Sequence, residues 1–422
     1  MGQTEPERTE DLESRIKHVH GPEEVVYGPE ELVVVCLMRD GRPYLKSFIE
    51  HYFSLGVKHI FFLDNGSTDG TVAEARSYEN VTVLQTDLPF KDHKFFLKRY
   101  MITRFGKGRW VLYVDIDELF DYPYSDVVSL ETLLRYLTQR SYTAVVGQML
   151  DMFPEAPLTR VERGEDAPED EPLKELHRFY DISNIRTQGY YPVAGESNTL
   201  ASDEIEVYRG GIRRTLFGHP SLLTKHPLMF IDGEILPMNK SSHWVGGARV
   251  ADITCVLFHY HFLDRFHERT LRAVEEENYA FGSAKYKKYL EVLEQDPELR
   301  IKQETAQEIR DVNDLADNQF LVVSGDYMGL VDAEERKAAS GNDGPRRLLE
   351  AFSRFSAKAR FQAARVRELE SDEHRLEKTE RSKLQERNQN LERQIKEIQS
   401  SRSWRMLSKL GRMRAGMSGK KG

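Results

Sequence analysis

The stretch Val111-Leu112-Tyr113-Val114-Asp115-Ile116-Asp117-Glu118-Leu119-Phe120 decides the fold. An apolar, β-branched run of this length reads as a buried strand. It ends in two carboxylates, Asp115 and Asp117. In extended chain, positions i and i+2 point the same way, so both acids are expected on one side where the sheet meets solvent. Two such groups can hold a hard divalent cation, and the cation can hold a diphosphate. An acidic strand end with no ligand is the plain alternative.

Working outward, the chain alternates between two periods. Leu32 to Met38, His59 to Leu63, Val81 to Gln85 and Trp110 to Val114 read as strands. Tyr44 to Leu55, closed by Gly56, and then Val72 to Tyr78 and Lys94 to Phe105, read as the helices between them. This alternation predicts an α/β fold with a mostly parallel sheet and helices on both faces. Beyond Asp121 we expect a helix at Leu130 to Gln139, a strand at Ala144 to Met149 and a Pro- and acid-rich loop over 155–173. A loop-rich stretch from Arg209 to Trp244, a last strand at Ile253 to Phe262 and a helical pair over 264–293 follow.

The expected domain plan is a flexible acidic leader at 1–30, a globular domain at 31–330 and a linker at 331–345. A coiled coil at 346–400 rests on Leu369, Leu376, Leu384, Leu391 and Ile398, which recur among charged residues. A single charged helix lying on the body is the alternative. Trp404, Leu407 and Leu410 make 401–422 a basic amphipathic tail suited to a membrane surface. Homo-oligomerisation through the coil is expected.

The 422 residues carry 60 basic and 69 acidic side chains, a net charge of −9. Seven of the basic residues and none of the acidic ones fall in the tail, so the body is more acidic still. That argues against nucleic acid as a partner. No apolar run is long enough to cross a bilayer. The start of the chain does not read as a signal peptide, so a cytoplasmic location is expected, with the tail at the inner face of the plasma membrane. Cys36 and Cys255 each sit in an apolar run and read as buried free thiols.

Several other residues have the chemistry of a ligand site. Asp64 ends the second strand, where ligands of open α/β sheets bind, and suits the N–H of a nucleotide base. Arg39 follows the first strand, although pairing with Asp40 is nearly as good a reading. Among His93, Lys94, Lys98 and Arg99, Arg99 is the choice to line a nucleotide pocket. His259 and His261 share one strand face, as a metal ligand and a phosphate contact respectively. Arg213 lies in a Gly-Gly turn with Arg209 and Arg214, and such a turn suits an anion. His243 is a further acceptor-pocket candidate.

Here a family resemblance enters. Leu63-Asp64-Asn65-Gly66-Ser67-Thr68-Asp69-Gly70-Thr71 resembles the Asp-Asp-Gly-Ser-Thr-Asp-Gly-Thr signature of family 2 glycosyltransferases, with Asn65 at its second Asp. Asp115-Ile116-Asp117-Glu118 resembles their metal motif, in order and about 50 residues on. Glu50-His51-Tyr52 and Leu55-Gly56-Val57 resemble a subgroup also seen in family 92. Gly210-Gly211-Ile212-Arg213-Arg214 and Asp151-Met152-Phe153-Pro154 resemble the same subgroup, and there His259 matches a His and His261 a Lys. The resemblance covers about residues 31–265. It implies a GT-A fold, a nucleotide-sugar donor, and Mn²⁺ or Mg²⁺ held by Asp117 with help from Asp115; Asp64, Asn65 and Asp115 are the residues expected at the donor, and His259 is a further expected metal ligand. It also implies inversion at the sugar, with a carboxylate base. Asp151 is the first choice, and Glu155 and Glu196 are alternatives. Without membrane spans or the processive synthases' signature, a non-processive enzyme is implied. Ser401-Arg402-Ser403-Trp404-Arg405 resembles the ends of bacterial surface-polysaccharide transferases, implying a glycan or lipid-linked acceptor. A nucleotidyltransferase and a non-catalytic scaffold with a degenerate sugar-nucleotide domain are the competing readings.

Overall fold

The computed structural model describes residues 9–339, apart from 156, 159–172, 239–240, 264–265, 276–279 and 297. The coiled-coil and tail expectations, and most of the 155–173 loop, lie outside the described residues. In chain order the elements begin with α1 (Thr9–Glu13), β1 (Ile16–His20), β2 (Val33–Met38), α2 (Arg42–Ser54), β3 (His59–Asp64), α3 (Thr71–Ala75), β4 (Val81–Thr86), α4 (Phe90–Gly106), β5 (Trp110–Tyr113) and β6 (Glu118–Asp121). Then come α5 (Leu130–Gln139), β7 (Ala144–Asp151), α6 (Leu173–Leu176), β8 (Phe179–Tyr180), β9 (Ile185–Gly189), α7 (Tyr190–Ala194), β10 (Thr199–Leu200), β11 (Glu206–Gly210), α8 (Ile212–Phe217), β12 (Thr224–Phe230) and β13 (Arg249–His259). The last are α9 (Phe266–Glu275), α10 (Ala280–Gln295), β14 (Gln307–Glu308), α11 (Asn313–Asp317) and α12 (Gly325–Ala339).

One sheet of ten strands dominates, in the order β1-β4-β3-β2-β5-β12-β7-β13-β10, with β6 also on β13. β4, β3, β2 and β5 run parallel, as do β7, β13 and β10, while β1, β12 and β6 run antiparallel to their neighbours. The period-2 rule places Val34, Cys36 and Met38 of β2 on one face, against Leu45, Phe48, Ile49 and Tyr52 of α2. Val33, Val35 and Leu37 face Leu97, Met101, Ile102 and Phe105 of α4. Each fully buried side chain of this kind contributes about 1.5–3 kcal/mol. The expected α/β class, a Rossmann-like mostly parallel sheet with helices on both faces, is what the chain forms. Both cysteines are buried and unbonded. No described helix is long and apolar enough to cross a membrane.

Three expectations are corrected. The leader is not all flexible: residues 16–20 form β1 and pair with β4, because Ile16 to His20 can add an edge strand to an otherwise open sheet. The linker at 331–345 begins as helix, since α12 runs to Ala339. The loop-rich stretch after Arg209 contains β12, a central strand. Pro227 disguises it, and the register shifts between Lys225 and Leu228 so that the ring fits. Facing it is Gly147, where a Cβ would come within 2.8 Å of the Pro227 ring.

The open edge of β6 is closed by α2. Tyr52 donates its hydroxyl to the Glu118 carbonyl and accepts from the Phe120 amide, both at 2.9 Å. His51 Nε2 meets the Phe120 carbonyl at 2.6 Å. Tyr52→Phe leaves two buried backbone groups unpaired and is expected to cost about 1–3 kcal/mol in a urea melt. An unchanged midpoint would show that β6 is held by β13 alone.

Candidate functional site

The strand order reverses between β2 and β5, the point where open α/β sheets gather ligands at their carboxyl ends. From β5 the chain crosses to β6 on the far strand β13, with only Val114 to Asp117 in between. The two acids therefore lie on a crossing segment, not in extended strand, and they meet different neighbours. The expectation that they share one direction fails for this reason.

Asp115 is caged. Its Oδ1 accepts from the Tyr113 hydroxyl at 2.6 Å and from Lys98 Nζ at 3.0 Å, and its Oδ2 from Lys225 Nζ at 3.3 Å. Burial pushes its pKa up, but the Lys225 and Lys98 ammoniums outweigh that and hold the carboxyl well below the usual range. Lys225 also pairs with the buried Glu118 at 2.6 Å, and Glu118 accepts the Asp115 amide at 3.0 Å.

Asp117 faces histidine instead. Its Oδ2 is 3.3 Å from His259 Nε2. His259 Nδ1 meets Asp151 Oδ1 at 2.6 Å, and Arg213 Nε donates to Asp151 Oδ2 at 2.7 Å. His261 stacks on His259, with centroids 5.2 Å apart and planes 13° apart. Burial would lower His259, but Asp117 and Asp151 raise it to about 9. Burial would raise Asp151, but Arg213 and His259 bring it to about 2. His261 is held well below its ordinary value by burial and by Lys285.

Ligand atoms of Asp117, His259 and His261 lie within 4.8 Å of one another. The donor set fits a divalent ion. His259 is held protonated between Asp151 and Asp117. To ligate, it would release the Nε2 proton while Nδ1–H goes on donating to Asp151, the usual way a carboxylate orients a ligating histidine. His261 Nε2 is buried without a hydrogen-bond partner. Asp115, with its oxygens taken by Tyr113 and two lysines, stands outside the group.

The other expected residues divide. Asp64 is fully buried and caps its own turn, accepting from the amides of Gly66 and Ser67 and from Gln85 Nε2. Asn65 donates to the Thr86 and Leu88 carbonyls. Arg39 is half-exposed, 3.8 Å from Asp40. Arg99 points to solvent, and its neighbour Lys98 is the residue that enters the site. Arg213 is buried on Asp151. Asp151 has both oxygens occupied, which corrects its reading as a free base. His243 hydrogen-bonds the Thr224 carbonyl through Nδ1.

Sequence reasoning missed Lys225, Arg269 and Lys285. Arg269 donates to the Tyr44 hydroxyl at 2.6 Å and the His261 carbonyl at 2.7 Å, joining α9 to both ends of the site. Lysine inside an apolar run was the available signal for Lys225. Arg269 and Lys285 sit on helices whose sequence gives no such hint.

Asp151→Asn removes the charge that fixes the His259 tautomer. Mn²⁺ affinity, read by calorimetry, is expected to fall about 10–100-fold. An affinity equal to the wild type would remove His259 from the ligand set.

No family model and no curated protein matches this chain. Among solved structures, a UDP-glucose pyrophosphorylase complexed with UDP-glucose is similar over 36% of this chain and 66% of its own, at 10% identity and a TM-score of 0.18. A likeness that slight carries no argument about function, and the site must be read from its own geometry.

Proposed function

We propose that this chain is a metal-dependent glycosyltransferase, inverting and non-processive, that moves a sugar from a nucleotide-sugar to a hydroxyl of a glycan or lipid-linked acceptor. The observation that carries the reading is the Asp117–His259–His261 group at the carboxyl end of β13, to which the segment Val114 to Asp117 crosses from the strand-order reversal at β5. The resemblance of the Asp64 and Asp115 segments to family 2 glycosyltransferases supports it. Two imidazoles and one carboxylate favour Mn²⁺ over the all-oxygen preference of Mg²⁺. When bound, the ion supplies positive charge where negative charge grows on the leaving diphosphate.

The chain's own residues do the rest. Asp117, His259 and His261 hold the ion. Asp151 positions His259 and is itself held by Arg213, so we read it as a positioning residue rather than the base. Lys225 and Lys98 neutralise Asp115, which keeps its carboxylate from repelling an incoming diphosphate. Arg269 pins the β13 end to the start of α2.

The test is calorimetric titration with nucleoside diphosphates and nucleotide-sugars, with and without Mn²⁺. One nucleotide should bind only with metal, and Asp117→Ala should abolish that binding. Failure of every nucleotide to bind sinks the reading. Release of pyrophosphate from a nucleoside triphosphate and a sugar phosphate would move it to a nucleotidyltransferase.

A further inference from the structure

Beside the metal group lies a set of donors with nothing to donate to. Arg213 is only 5% exposed, and while its Nε is spent on Asp151, its Nη2 is buried without a partner. Tyr289 is fully buried. Its hydroxyl lies near Arg213 and Ser221 but makes no well-formed hydrogen bond. Lys285, one turn before Tyr289 on α10, sits with Nζ 5.3 Å from the ring centroids of Tyr286 and Tyr289. Among the described residues it has neither an ion-pair nor a hydrogen-bond partner. The Tyr289 ring in turn packs 6.0 Å from His261.

Arg213 Nη2 and the Tyr289 hydroxyl are buried donors left unpaired, a costly arrangement above all for a charged group, and the part-exposed Lys285 stands beside them, so we read the three as held for a ligand. A guanidinium and an ammonium also repel each other unless an anion lies between them. Burial and the Arg213 charge bring Lys285 down to about 7, while Asp151 and Asp117 pull it the other way. Around the metal group the carboxylates Asp117 and Asp151 are outnumbered by Arg213, Arg269 and Lys285, before any metal ion adds its charge. Farther along, Asp115 and Glu118 are already matched by Lys98 and Lys225.

We propose that Lys285, the free Nη2 of Arg213 and the Tyr289 hydroxyl form an oxyanion-binding recess beside the Asp117–His259–His261 group. The ligand is a phosphate or carboxylate oxygen set. It is either part of the donor's diphosphate or an anionic group of the acceptor, and that second distinction rests on the transferase reading. The recess itself binds without metal, since none of its donors is a metal ligand.

The probes are inorganic pyrophosphate and inorganic phosphate, titrated calorimetrically into the metal-free full-length chain in EDTA. Saturable binding is expected, weakened about tenfold or more in Lys285→Met and by a smaller factor in Tyr289→Phe. Asp117→Ala should bind at least as tightly as the wild type, because a negative charge has been removed. Lys58→Met, at a lysine paired with Glu31 far along the chain from these donors, should be unchanged. Absence of saturable binding, or equal affinity in Lys285→Met with its melting temperature intact, overturns the recess. With Mn²⁺ and a saturating nucleoside diphosphate, displacement of phosphate identifies the donor as the source, and simultaneous binding identifies the acceptor. If no nucleotide binds yet pyrophosphate does, the transferase reading falls and the recess stands. The converse result removes the recess alone.

Discussion

The buried chain Arg213–Asp151–His259 is the contact on which the rest of the site depends. It joins α8, β7 and β13 through two short hydrogen bonds, and breaking a buried pair of this kind typically costs about 3–5 kcal/mol. Arg213 reaches Asp151 because the backbone turns sharply just before it. Gly210 and Gly211 have φ of 95° and 62°, and a Cβ at Gly210 would lie 2.8 Å from the Asn184 carbonyl oxygen. A side chain there would be strained in both respects. The glycine pair is thus the local cause, the ion pair the energetic consequence, and an oriented His259 the structural result.

The same economy explains why two acids so close in sequence do different work. Like carboxylates side by side would repel and raise one another's pKa. Crossing from β5 to β6 separates them. Lys225 then settles between Asp115 and Glu118, with Lys98 on the far side of Asp115. Lys225 can stand there only because β12 is central to the sheet, and β12 can be central only because Gly147 leaves room for Pro227.

Much of this was legible in the sequence. The alternation of periods located β2 to β5 and their helices, and of the acids and imidazole that the sequence grouped together, the structure brings Asp117 and His259 within 3.3 Å while Asp115 lies on two lysines. What was lost was lost for physical reasons. The period-2 argument holds only in extended chain, so it misjudged the direction of Asp115 and Asp117. On α4 the choice of Arg99 ignored the phase of the helix. Lys98 stands four residues before Ile102 and seven before Phe105, on the buried side, whereas Arg99 falls outside it. A proline hid β12, since its cost to a strand is removed by a glycine in another strand that local patterning cannot see. Asp151 was rightly placed at a strand end, but the burial that takes both its oxygens is a tertiary property.

Within the site the charges are unevenly matched. Asp117 and Asp151 are satisfied by His259 and Arg213, while Lys285 and the second Arg213 nitrogen face no acceptor. A cation entering alone would meet the surplus of Arg213, Arg269 and Lys285, and an anion entering alone would meet Asp117. Each therefore improves the environment of the other, and by linkage whatever the metal adds to anion affinity the anion adds to metal affinity. On the proposed reading, a site built this way would favour a metal-bound oxyanion over either component, the form in which a diphosphate arrives with its metal.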